Sequence, residues 1–152
     1  VILDLRGNPG GTVAAAQALA GLWLNNQVVM TQRRGEQVIS TEKSTGQPLL
    51  SDIKTVVLVN GGSASASEIV AGALKDHGKA TLVGEKTYGK GSVQRPIDLA
   101  DGSVLKVTEA RWYTPHGKNI DKSGIEPDIK VEMTAGAADN GRDPQLEKAK
   151  SV

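Results

Sequence analysis

Cysteine is absent from all 152 residues. Disulfides, thiolate metal sites and cysteine nucleophiles are thereby excluded, and the absence fits any compartment. Phenylalanine is absent too, with only two tryptophans and two tyrosines. The core therefore has to be built from Val, Leu, Ile and Ala. Charge has no dominant sign, with 18 Lys+Arg against 17 Asp+Glu. That leaves no electrostatic footprint for nucleic acid or a membrane surface. Apolar runs are strand-sized, so no membrane segment is expected. No signal peptide or initiator methionine is present, and the chain opens inside VILDL, so it is expected to be a piece of a longer protein. No carboxylate pair or His/Asp cluster has metal-binding spacing, so neither metal nor cofactor is expected.

What is present is enough for one domain with a real core. Val1–Leu5 reads as a buried strand, broken by RGNPGG, with Thr12 capping the helix that follows. Gln27–Arg33 and Glu36–Thr41 form a hairpin around Gly35. TVVLV (Thr55–Val59) is a second buried strand. A helix then starts within SASASE, where Ala66, Ile69, Val70, Ala73 and Leu74 make one stripe. Gly78 ends it. Thr81–Gly84 is a strand, Ser92–Leu99 and Ser103–Tyr113 are a pair joined at Asp101-Gly102, and Ile129–Glu132 is a last strand. Thr134–Gly141 is small and polar, and Asp143-Pro144 caps a short helix. Strands alternating with helices predict an α/β domain.

GEKTYGKGSVQ (Gly84–Gln94) is the stretch that has to be explained. Gly84-x-x-x-x-Gly89-Lys90 is nearly a phosphate-binding loop. The full motif needs Ser or Thr after the lysine and then a helix. Here Gly91 follows, and then a strand pattern, so nucleotide binding is rejected. The other reading makes Lys90 a general base. Burial lowers a lysine's pKa far enough for that role. If residues 90–94 are extended, Gln94 shares a face with Lys90 and can orient its amine.

Such a base needs a nucleophile. VNGGSASASEI places three serines at a strand-to-helix junction. Ser65 with Glu68 makes a capping-box pattern, so Ser65 reads equally as a helix cap. A serine at a helix N-terminus also lies beside free N–H groups that stabilise an oxyanion. On the residues alone both readings stay open, and Ser63 or Ser67 could substitute. Neither histidine serves as a base: His77 ends the same helix, about 18 Å away, and His116 sits in a turn. GxSxG is absent. Ser51-x-x-Lys54 precedes a strand and reads as chance. The RGNPGG loop can present N–H groups to an anion, although a plain strand–helix connection explains it too. Glu68, Asp4 and Asp76 read as caps or surface charges.

Together DLRGNPGG (Asp4–Gly11), NGGSASASEIVAGAL (Asn60–Leu74), TLVGEKTYGKGSVQ (Thr81–Gln94) and GIEPDI (Gly124–Ile129) closely resemble the carboxyl-terminal processing proteases, also called tail-specific proteases. DPQLEKA near the end is similar as well. The resemblance implies a serine endopeptidase with a Ser–Lys dyad. Ser65 is then the nucleophile, Lys90 the base, and Gln94 the third member. Backbone N–H groups of Gly10 or Gly11 and of Ala66 would form the oxyanion hole. The implied fold is the α/β spiral shared with Clp protease and crotonase, here as a partial core over residues 1–133, with a flexible linker and short helix over 134–152. The implied partners are a protein or peptide substrate with a C-terminal tail, a PDZ domain of the same full-length chain, and an adaptor or oligomer. The implied location is the bacterial periplasm or cell envelope, or the thylakoid lumen. The rival readings are a non-catalytic ligand- or peptide-binding domain on the same fold, the disfavoured nucleotide-binding protein, and an acyl-CoA enzyme of the crotonase type.

Overall fold

A run such as VVLV, with no polar alternation, is stable as a strand only if both faces of its sheet are covered. A computed structural model describes all 152 residues and shows both covers. The elements are β1 (Ile2–Asp4), α1 (Val13–Ala20), β2 (Val28–Arg34), β3 (Gln37–Lys43), β4 (Val56–Val59), α2 (Ala66–Asp76), β5 (Thr81–Gly84), β6 (Ser92–Asp98), β7 (Val104–Tyr113), β8 (Ile129–Lys130), α3 (Ala135–Asp139) and α4 (Pro144–Ser151). This is a mixed α/β fold. Parallel strands β1-β4-β5-β8 make one sheet, and antiparallel strands β3-β2-β7-β6 make the other.

Successive side chains of a strand point to opposite faces. Val57, Val59 and Leu82 therefore join the main core with Ala16, Ala20, Ile69, Val70, Ala73 and Leu74 of α1 and α2. Val56, Leu58 and Val83 face the other way, against Ala149 and Leu146 of α4. Each fully buried Val or Leu is worth roughly 1.5–3 kcal/mol. All residues from Ala66 to Leu74 of α2 are buried, so this helix runs through the middle of the molecule. Its outer side meets Trp112, Ile120 and Ile125, which close the core toward the second sheet.

The expected strands and helices form, most with ends shifted by a residue or two; the helix after Thr12, whose apolar face is expected to run from Val13 to Leu24, ends at Ala20. One reading is corrected. The opening strand is not buried: Val1 is 53 % and Ile2 37 % exposed, and only Leu5 is fully covered. The reason is its place at the sheet edge beside β4. Residues 134–141 contain the one-turn helix α3, none of which is buried. No helix is long and apolar enough to cross a membrane.

Candidate active site

Three loops leave the carboxyl ends of neighbouring parallel strands: Leu5–Thr12 after β1, Asn60–Ser65 after β4, and Glu85–Gly91 after β5. In an open α/β sheet that end is where ligands bind. The middle loop carries the serines. Ser63 is fully buried; its hydroxyl donates to the Leu5 carbonyl at 2.7 Å and accepts from the Asn60 N–H at 3.0 Å. Ser67 is buried inside the first turn of α2. Ser65 is the only one of the three with partial exposure. Ser63 and Ser67 are thus the more buried of the three serines.

Ser65 sits at φ 56°, ψ −119°, on the left-handed side that a residue with a Cβ rarely visits. Such a conformation costs about 1–3 kcal/mol and persists only where neighbours enforce it. Here they do. The Ala64 N–H donates to the Asn8 carbonyl at 3.0 Å, and the Ser65 N–H donates to Glu68 Oε2 at 3.0 Å. Ser65 and Glu68 form a capping-box pair, in which the Ser65 N–H donates to the Glu68 side chain and the Ser65 hydroxyl faces the Glu68 N–H. The oxygen is left at the helix N-terminus, beside the Ala66 N–H, which by position has no intrahelical acceptor.

Glu68 has the largest role that the sequence did not reveal. It is fully buried rather than a surface charge. Oε1 accepts from the Thr87 hydroxyl at 2.5 Å and the Gly89 N–H at 2.7 Å. Oε2 accepts from the Ser65 N–H at 3.0 Å and the Lys90 N–H at 2.9 Å. A buried carboxylate is tolerable only when its oxygens are satisfied this fully. One oxygen therefore holds the backbones of Ser65 and Lys90 two hydrogen bonds apart. The spacing S-x-x-E showed one of the four donors. The other three come from a segment about twenty residues on, which sequence spacing cannot place.

The glycines flanking Lys90 now have a reason. Gly89, at φ +89°, leaves no room for a Cβ: it would lie 2.8 Å from the Gly124 nitrogen. A Cβ on Gly91 would lie 2.5 Å from the Asp121 nitrogen. Residues 120–124 pack directly on this turn, and the Lys122 N–H donates to the Gly89 carbonyl at 2.8 Å. Trp112 Nε1 donates to the Lys90 carbonyl at 2.9 Å. The backbone of Lys90 is thus fixed from both sides. A strand follows, not a helix, as the rejection of the phosphate loop required.

The Lys90 side chain behaves differently. Sequence reasoning expected a buried amine beside Gln94. Both residues are instead exposed. They line one cleft of ≈ 1010 Å³ with Pro9, Ala64, Tyr88 and Ser92. No hydrogen bond joins Lys90 to Gln94 or to the Ser65 hydroxyl. The physical cause is the edge position of β6 in the second sheet, which leaves that wall of the cleft uncovered.

The loop Leu5–Thr12 closes the other side. Gly10, at φ +99°, lies so near Ser65 that a Cβ would stand 2.7 Å from the Ala66 nitrogen and 2.9 Å from Ser65 Cβ. Its own N–H donates to Asn8 Oδ1 at 2.9 Å. That leaves Gly11, of the two expected glycines, with an unengaged N–H. Behind them lies a small apolar cavity of ≈ 120 Å³, lined by Leu5, Gly10, Gly11, Ala16, Ala66 and Val70 among others. Neither histidine enters the site. His77 Nε2 lies 2.7 Å from the Val28 carbonyl, and His116 packs on Asp76 at the far end of α2. Lys54 of Ser51-x-x-Lys54 reaches the Val152 carbonyl instead. No group of three or more His, Asp or Glu side chains is placed to hold a metal ion.

Residues 1–131 match the model of "Peptidase family S41". The chain is 47 % identical over 130 residues to the "Carboxyl-terminal-processing protease" of Picosynechococcus sp., covering 86 % of this chain and 31 % of that protein. It is 46 % identical over 157 residues to the "Carboxyl-terminal-processing peptidase 3, chloroplastic" of Arabidopsis thaliana, covering 99 % of this chain and 29 % of that one. Among solved structures, a photosystem II D1 C-terminal processing protease superposes with a TM-score of 0.80 at 39 % identity, over 86 % of this chain and 34 % of that one. The chain therefore spans about a third of the length of the proteins it matches.

Proposed function

This chain belongs to peptidase family S41, a carboxyl-terminal processing family of serine-type proteases, and from that premise we propose that Ser65 and Lys90 are its nucleophile and general base. One observation carries the reading: the buried Glu68 carboxylate binds the backbone N–H of both residues through a single oxygen. The nucleophile is the one serine of three left partly exposed at a strained helix N-terminus.

The neutral Lys90 amine takes the hydroxyl proton of Ser65 as Oγ attacks a substrate carbonyl. The carbonyl oxygen becomes an oxyanion facing the N–H groups of Ala66 and Gly11, where the helix dipole adds to their effect. Collapse expels the amine product, which receives the proton from Lys90. A water then attacks the acyl-enzyme by the reverse sequence and releases the acid. Gln94, on the same wall of the cleft, orients the amine. Because Lys90 is long and exposed, its amine is free to change rotamer toward Ser65. The apolar cavity beside Gly10 and Ala66 accepts a small aliphatic side chain next to the scissile bond. The full-length protein cuts polypeptides near their C-terminus, with a PDZ domain of the same chain presenting the tail, in a bacterial envelope or thylakoid lumen.

Cleavage of an unfolded protein by the full-length protein tests this. Ser65→Ala and Lys90→Ala each lower kcat by about 10⁴-fold or more while melting like wild type. A Lys90→Ala variant that keeps wild-type activity removes the mechanism.

A further inference from the structure

We infer that Arg6, Asp143 and Gln145 form a positioning clasp, through which the first turn of α4 holds the loops on either side of Ser65 in register. The inference rests on the reading of the site given above. It concerns a segment outside the residues 1–131 that match the family model.

Arg6 opens the RGNPGG loop, and every one of its five side-chain N–H groups is used. Nη1 donates to Asp143 Oδ1 at 2.9 Å, and Nη2 donates to Asp143 Oδ2 at 2.8 Å. Nε and Nη2 make a second fork, to Asp4 Oδ1 at 3.0 Å and Oδ2 at 2.7 Å. The remaining N–H of Nη1 reaches Gln145 Oε1 at 3.0 Å. A planar guanidinium held by two forks has no rotational freedom left. The Arg6 hydrogen bonds hold the carboxyls of Asp4 and Asp143 below the usual range, so both are charged partners.

The clasp reaches a second loop. Gln145 is buried, and its Nε2 donates to the Val131 carbonyl at 2.8 Å and lies 3.4 Å from Glu85 Oε1. Glu85 begins the segment that ends at Lys90. Asp143 also caps its own helix, accepting from the Leu146 N–H at 2.9 Å. The helix is anchored on the back of the parallel sheet through Leu146 and Ala149. Rigidity passes onward from Arg6. The Gly7 N–H donates to Asn60 Oδ1 at 2.9 Å, and Gly10 lies against Ser65. The position of the Gly11 N–H relative to the Ser65 oxygen is thereby set by α4.

Exposed ion pairs usually add little stability, so the clasp acts on geometry. A displacement of about 1 Å in a positioning group costs up to about 10²-fold in rate. The test uses the full-length protein and a peptide substrate. Asp143→Asn keeps the helix cap but loses the charged fork. Arg6→Lys keeps the charge but cannot hold three partners. Each lowers kcat by about 10–100-fold with KM within about twofold, and speeds amide hydrogen exchange at Gly7, Asn8 and Gly10, whose N–H groups are hydrogen-bonded in the folded protein. Ser65→Ala, run beside them, separates the two failures: if it is active, the site reading is wrong. If it is inactive while both clasp variants keep wild-type kcat, the clasp alone is wrong. The clasp is also overturned if the lost activity of both variants equals the fraction unfolded at the assay temperature.

Discussion

The two halves of the candidate site are built to different standards of rigidity. On the α2 side, the strained backbone of Ser65 is held by Asn8 through Ala64 and by Glu68, and Ser63 and Ser67 are locked inside. On the β6 side, the Lys90 backbone is equally fixed, yet its amine and Gln94 stand in an open cleft. The fold therefore fixes the Ser65 backbone and the root of Lys90, and leaves the Lys90 amine without a bond to Ser65 or Gln94.

Breaking the shared anchor has the largest effect. Glu68→Ala orphans four buried donors, each costing about 1–3 kcal/mol. Thermal and denaturant melts should show a loss of about 4 kcal/mol or more, with cleavage abolished. Glu68→Gln, which keeps one accepting oxygen, should fall between that variant and wild type. If Glu68→Ala melts like wild type, the anchor is not what joins the two halves.

Disturbing only the rigid half comes next. Gly10→Ala places a methyl 2.5 Å from the Ala64 carbonyl oxygen at a positive φ. The loop must then move off Ser65, and kcat should fall by about 10²-fold, as for loss of an oxyanion donor. KM should change far less. An unchanged kcat would detach this loop from the chemistry.

The smallest effect is that of acid. The carboxyls of Asp4 and Asp143 are lowered chiefly by side-chain hydrogen bonds from Arg6. Their stabilising contribution is complete above the ordinary aspartate value of about 3.9 and is lost as pH falls through the lowered values. The melting temperature should hold steady from pH 7 to about 5 and fall below about 4. The Asp143→Asn variant should show a shallower acid decline. Parallel declines would mean that other carboxylates dominate.

Much of this was legible in the sequence, for identifiable reasons. The stripe of Ala66, Ile69, Val70, Ala73 and Leu74 and the all-apolar VVLV report local geometry, and both elements form where expected. The long motifs around Ser65 and Lys90 carried the family. What could not be read depends on neighbours distant in the chain. Val1–Leu5 looks like any buried strand, and only the sheet order shows that it is an edge. Glu68 looks like a cap because three of its four donors belong to Thr87, Gly89 and Lys90. The exposure of Lys90 depends on whether anything covers β6, which no local pattern encodes.

The most direct test of the account is to label the nucleophile covalently. The full-length protein would be treated with a serine-directed fluorophosphonate, digested, and the modified residue identified by mass spectrometry, for wild type and Lys90→Ala. The account predicts an adduct on Ser65 in the wild type and little or none in Lys90→Ala. An adduct on another serine, or equal labelling of Ser65 without Lys90, would contradict it.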